Sequence, residues 1–157
     1  MGHLFLNQNH LENLALPADL TQLAFLDLTT NQLTNLTLPS GLTNLSTLIL
    51  DANPLTTFVL SESSAATTLA ELVASLSNQG VSVFTFPLTI QLSSPRQTVG
   101  GAFELTLLGS PGVYAILGSA DLATWSQLGL ATNNLGSVVF TDVRANLSPT
   151  KFYRAHQ

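Results

Sequence analysis

Three histidines, nine carboxylates and no cysteine are the chain's whole stock for metal or acid–base chemistry. With no thiol, disulfides and thiolate metal sites are excluded, although the redox compartment stays open. His3, His10 and His156 show no metal-ligand spacing. The opening Met-Gly-His places a histidine third, as an amino-terminal copper or nickel site requires. Removal of Met before Gly would destroy that register, so the pattern is read as accidental. No G-x-S-x-G occurs, and Gly109 to Gly112 (GSPG) reads as a turn with no strand-to-helix elbow around it. A Ser–His–acid set assembled from distant residues is the one catalytic route left open. The chain is therefore expected to be no enzyme and to carry no metal or cofactor.

The residues that do fall into a pattern are leucines, at a period of 22. Leu4, Leu26 and Leu48 align, as do Leu6, Leu28 and Leu50; Leu11, Leu33 and Leu55; and Leu16, Leu38 and Leu60. Asn9, Asn31 and Asn53 share one column, Leu14, Leu36 and Phe58 another, and Pro17 matches Pro39. The unit is L-x-x-L-x-L-x-x-N-x-L followed by x-x-L-x-L-P. A period in this range is the mark of stacked repeats. In L-x-L, alternate residues of a short strand point inward. The Asn ends the strand, where its amide can satisfy backbone groups left unpaired by a turn. The later leucines and Pro fill the convex side, and stacking merges the leucines of successive turns into one core. An amphipathic helical bundle would not tolerate the Pro and Asn columns.

This spacing resembles the leucine-rich repeat family, in particular short bacterial repeats with an "LP" on the convex side, over about residues 1–86. The resemblance implies an α/β solenoid, mostly β with one capping helix, that binds partners on its strand face. The outward columns of that face are His3, Phe25 and Thr47; Phe5, Asp27 and Ile49; and Asn7, Thr29 and Asp51. Phe5, Phe25 and Ile49 form an apolar centre with acids at its edge, a pattern that marks a binding surface. Asp27 and Asp51 sit one turn apart and two residues out of register, which puts their Cα atoms roughly 8 Å apart. That is wide for one calcium, so they are read as a solvated acidic patch.

Residues 62–86 are expected to close the stack. Ser63 or Ser64 can cap a helix in which Leu69, Leu72, Val73 and Leu76 form one apolar stripe. Gly80 ends it, and VSVFTF follows as a strand with Val81 and Val83 inward. The front has no such closure. Met1 occupies the column of Leu23 and Leu45, so the chain starts in phase inside a repeat. It is read as a C-terminal piece of a longer protein or one whose true start lies upstream, the alternative being a native Met1 whose raw edge pairs with another chain. Self-association is expected in either case.

From Leu88 the period stops. Short runs separated by Gly, Pro, Asn and Ser predict a small all-β sandwich over 87–157. Trp125, the single tryptophan, is read as the plug of its core, with a sugar-stacking platform as the alternative. Tyr114, Phe152 and Tyr153 alternate as core or half-core positions, and Asp121 caps a turn ahead of LATW. SADLATWSQLG, FTD and KFYRA together resemble small C-terminal β-modules that end large secreted bacterial proteins. That resemblance implies an extracellular or cell-surface origin.

Charge narrows the partners. Residues 1–86 hold six acids and no Lys or Arg, and residues 87–157 hold three acids and four bases, giving −6 and +1, in sum the net −5. A half without one cation is a poor match for nucleic acid, whose phosphates demand neutralisation, and for anionic membranes. No apolar run reaches the roughly 20 residues of a membrane span, and no basic segment leads into an apolar one as in a secretory leader. The expected function is non-catalytic protein interaction or scaffolding through the strand face, with homo-oligomerisation through the N-terminal edge. The rival reading is carbohydrate or cell-surface adhesion through the β-module, which needs Trp125 and a tyrosine exposed on one face.

Overall fold

A computed structural model describes residues 2–145 and 151–157. Two compact units divide the chain, Met1–Thr85 and Phe86–Gln157. Met1, whose column match with Leu23 and Leu45 suggested an in-phase start, lies outside the described residues.

In the first unit three short strands, β1 (His3–Phe5), β2 (Phe25–Asp27) and β4 (Thr47–Ile49), pair in parallel in the order β1-β2-β4. Their register follows the sequence period: Leu4 faces Leu26, and Leu26 faces Leu48. The intervening leucines form strands too. β3 (Asn35–Thr37), β5 (Thr57–Ser61) and β6 (Ser82–Phe86) make a second three-stranded sheet in the order β3-β5-β6, with Leu36 opposite Phe58. Leu26, Leu28, Leu33, Leu36, Phe58 and Leu60 are fully buried between these strands and turns. Each such side chain contributes on the order of 1.5–3 kcal/mol. Successive turns approach closely: a Cβ on Gly41 would lie 1.7 Å from the carbonyl oxygen of Ala18.

The expectation of an α/β solenoid with one capping helix is corrected by this architecture. Among the described residues the chain is mostly β, with strands in four separate three-stranded sheets and α-helix confined to α1 (Glu62–Ala66) and α2 (Ala70–Asn78). The physical cause lies in the stretches between strands. They are short and punctuated by Pro17, Pro39 and Pro54, which cannot donate to a helix. They close instead through turns such as Leu23 N–H to the Leu20 carbonyl and Leu42 N–H to the Pro39 carbonyl. The single helix expected between Ser63 or Ser64 and Gly80 is two helices broken at Thr67–Leu69. Its cap is neither Ser63 nor Ser64 but Ser61, whose Oγ accepts the Ser64 N–H. Leu69 and Leu76 are buried, and Gly80 adopts the left-handed φ of 86° that ends α2.

The second unit holds two antiparallel sheets. β7 (Gln91–Gln97), β8 (Phe103–Leu108) and β11 (Ser137–Asp142) form one, in the order β11-β8-β7. β9 (Gly112–Ser119), β10 (Ser126–Asn133) and β12 (Phe152–His156) form the other, in the order β10-β9-β12. Leu107 of one sheet and Tyr114, Ile116 and Ala131 of the other share a core, with Leu92, Val138 and Phe140 against it. The sandwich expectation fits this unit in part.

Candidate functional site

The first strand face brings the nine expected residues into three cross-strand rows. His3, Phe25 and Thr47 are one row in register, and Phe5, Asp27 and Ile49 the next. Asn7, Thr29 and Asp51 follow the strand ends, where the Gln8 N–H bonds the Thr29 carbonyl and the Thr30 N–H bonds the Asp51 carbonyl. The rows exist because strand periodicity sends Leu4, Leu26 and Leu48 inward and their neighbours outward.

The aromatic residues associate. Phe5 and Phe25 have ring centroids 5.2 Å apart, and His3 lies 5.6 Å from Phe25 and 6.5 Å from Phe5. Such spacing is that of favourable offset or tilted pairs. Phe5 nonetheless keeps 64% of its surface in water, an unusual placement for a large apolar side chain that two neighbours could have covered. Asp27 stands directly opposite Phe5. Its Oδ1 accepts both the N–H and the hydroxyl of Thr29, at 2.9 and 2.6 Å, so one carboxylate oxygen is fixed by the turn. Thr47 and Asp51 are exposed and Ile49 is half-buried.

Behind the face runs a ladder of side-chain amides. Asn31 Oδ1 accepts the Leu11 N–H, while its Nδ2 donates to the carbonyls of Leu6 and Leu28, at 3.1, 2.9 and 2.9 Å. Asn53 repeats the pattern one turn later with Leu33 N–H and the Leu28 and Leu50 carbonyls. Asn9 reaches only its own turn, at the Leu6 and Asn7 carbonyls. Nothing in the sequence marks the third residue after each strand: Gln8, Thr30 and Ala52 all take left-handed φ values of 55–56°, although none is Gly or Asn.

In the second unit the expected site residues scatter. Trp125 does not plug the core. It is half-exposed, its Nε1–H donates to the Leu122 carbonyl, and the Arg154 guanidinium covers the ring at 4.2 Å from its centroid. Tyr114 is fully buried with its hydroxyl donating to the Ser110 carbonyl. Tyr153, adjacent to Arg154 on β12, stacks on Phe103 at 4.9 Å. No tyrosine therefore stands beside Trp125 on an exposed face, which is what sugar stacking required. Asp121 does cap the turn: its Oδ1 accepts the Thr124 and Ala123 N–H groups and the Ser119 hydroxyl, and these bonds hold its carboxyl at about 2.

Sequence reading missed a buried cluster. Asp142 is paired with Lys151, accepts the Arg144 N–H at 3.0 Å, and accepts the Tyr153 hydroxyl at 3.0 Å. Burial pushes its carboxyl up, but the bonds from Lys151, Arg144 and Tyr153 prevail and its pKa is lowered. Tyr153 is pushed well above the usual phenol range by burial and by the adjacent carboxylate. The residues lie nine and eleven positions from Asp142, too far for any short motif. The cluster locks β12 to β11 and presents no unpaired reactive group.

Among the described residues no set of three or more His, Asp or Glu is placed to hold a metal ion. His10 Nδ1 lies 3.1 Å from the Gln32 side chain, and no histidine in the described residues bonds a carboxylate. Among the described residues no helix is long and apolar enough to cross a membrane. Compared with known proteins, the chain matches no family model, no curated protein and no solved structure.

Proposed function

We propose that this chain is a non-catalytic protein-interaction module that binds its partner on the β1-β2-β4 face. The observation that carries the reading is the aromatic group His3–Phe5–Phe25, exposed at Phe5 and with Asp27 directly opposite Phe5. A rigid apolar anchor ringed by polar groups is how interaction surfaces concentrate their energy. The resemblance of the 22-residue unit to leucine-rich repeats supports a partner on this face, and the likeness of the β-module to secreted bacterial C-termini supports an extracellular or cell-surface setting. With no cation in residues 1–86, the partner surface is expected to be basic or apolar. β1 is also an edge strand, so addition of a second copy there belongs to the same reading.

Selection of displayed peptides against the whole chain, with counter-selection on Phe5→Ala/Phe25→Ala, tests the main claim. The reading requires binders that lose at least about tenfold in affinity on the double variant, since an aromatic anchor is typically worth 2 kcal/mol or more. Binders indifferent to the double variant would move the function elsewhere. Light scattering over a dilution series tests self-association, with mass expected to rise with concentration.

A further inference from the structure

The opposite edge of the same sheet carries an unfilled hydrogen-bond pattern. Between the first and second turns, the N–H groups of Leu6, Gln8 and Leu11 are taken by the Asp27 carbonyl, the Thr29 carbonyl and Asn31 Oδ1. Between the second and third, Leu28, Thr30 and Leu33 repeat this with the Ile49 and Asp51 carbonyls and Asn53 Oδ1. In the third turn the corresponding donors are Leu50, Ala52 and Leu55, and none of them donates to any of the described residues. The Leu50 carbonyl, equivalent to those of Leu6 and Leu28, receives only the amide of its own turn's Asn53. The next asparagine would fall 22 residues on, at 53 + 22 = 75, where the chain has Ser75 on α2.

All three donors line one recess of about 340 Å3 between the β4 edge and α2, together with Asp51 and Ser75. Its volume is at the small end of ligand pockets. Unpaired backbone groups at a strand edge are satisfied by another strand. Anions are a poor fit, because Asp51 lines the recess and no Lys or Arg occurs in residues 1–86.

We propose that this recess takes an extended basic peptide, which adds as a parallel strand to β4 and inserts an asparagine carboxamide at the next position of the ladder. The peptide's carbonyls accept from Leu50 and Ala52. Its carboxamide oxygen accepts from Leu55, and the carboxamide N–H donates to the Leu50 carbonyl. Lysines flanking the strand face Asp51. This site shares Ile49 and Asp51 with the strand face but lies at the sheet edge opposite β1, and it stands whether or not the aromatic group binds anything.

The probe is the synthetic peptide KLKLTTNQL, which repeats residues 25–33 with lysine in place of Phe25 and Asp27, followed by amide NMR on the whole chain. The expected result is slowed hydrogen exchange at Leu50, Ala52 and Leu55, and binding at least about tenfold weaker for the peptide with leucine in place of asparagine. Ser75→Trp, which fills the recess from an exposed helix position, is expected to abolish the slowing at these three amides. Absence of slowing at all three amides with millimolar peptide, or equal binding of the asparagine and leucine peptides, overturns the proposal. Those two readings use the unaltered chain and do not depend on how the variant folds.

Discussion

The first unit buries only uncharged polar groups, chiefly carboxamides, whereas the second buries a charged cluster around Asp142 besides one carboxamide, Asn133, that serves a single turn. Asn31, only 6% exposed, spends its amide on three backbone groups of two neighbouring turns, none of which titrates. Asp142 is just as buried but ionised, and its tolerance depends on Lys151, the Arg144 N–H and Tyr153 together. The difference follows from topology. Parallel three-residue strands at every turn leave the same backbone groups unpaired each time, so one amide per turn solves a recurring problem. The antiparallel unit pairs longer strands, broken at the Gln127/Gly129 and Ser93/Arg96 shifts, so its needs do not recur: Asn133 serves one turn, and the charged cluster fixes one terminal strand.

The largest expected effect breaks the first side of the comparison. Leu28 is fully buried, and Leu28→Asp puts an unpaired carboxylate where the ladder offers only carbonyls already in use. A cost above about 4 kcal/mol is expected. The amide resonances of residues 2–85 should collapse toward those of an unfolded chain. Retention of native dispersion would mean that the leucine columns do not share a core.

Lys151→Met breaks the second side. Removing one partner of a buried pair typically costs about 3–5 kcal/mol, to be read from urea unfolding of the β-module. The pH dependence sharpens the test. In the native chain Asp142 has a lowered pKa, so its contribution is complete above the ordinary carboxylate value near 3.9 and is lost as pH falls through the lower folded value. Without Lys151, burial dominates and the carboxyl rises. The penalty is then full at neutral pH and eases on acidification, so the variant's deficit should shrink as pH falls from 7 to about 4. A deficit independent of pH would show that Lys151 acts through packing alone.

The leucine columns, the cross-strand rows and the role of Asn31 and Asn53 were legible because each is a local pattern repeated at a fixed period. Class was not. Asn35-Leu36-Thr37 alternates as a strand should, but three residues are too few to outweigh a reading of convex filler, so the spacing hides β3 and β5 and points to α/β. Trp125 was assigned to the core on size. A neighbour 29 positions away, Arg154, covers it instead, and no sequence window contains both. The Asp142–Lys151–Tyr153 cluster was hidden in the same way, its members being meaningful only once β12 lies beside its neighbours.

Asn31→Leu tests the amide side with a smaller effect. It strands the Leu11 N–H and removes one of the two amide donors from each of the Leu6 and Leu28 carbonyls, for about 2–3 kcal/mol. Asn53→Leu should cost less, about 1 kcal/mol, because Asn53 is half-exposed and water can replace part of what it supplies. Both losses should be flat between pH 4 and 8, unlike that of Lys151→Met.

The smallest effect has the opposite sign. Thr30 is β-branched and held at φ 55°, a region that costs such residues on the order of 1 kcal/mol. Its N–H bond to the Asp51 carbonyl uses only backbone, so Thr30→Gly keeps the bond and removes the strain. Against this stands the greater entropy of glycine in the unfolded chain, up to about 1 kcal/mol. The residual is expected to be a gain of a few tenths of a kcal/mol, seen as a rise in the urea midpoint of the first unit. The same change at Ala52 should gain less, since alanine has no branch at Cβ to relieve. The order Thr30 above Ala52 therefore separates relief of side-chain crowding from a general effect of glycine at these turns.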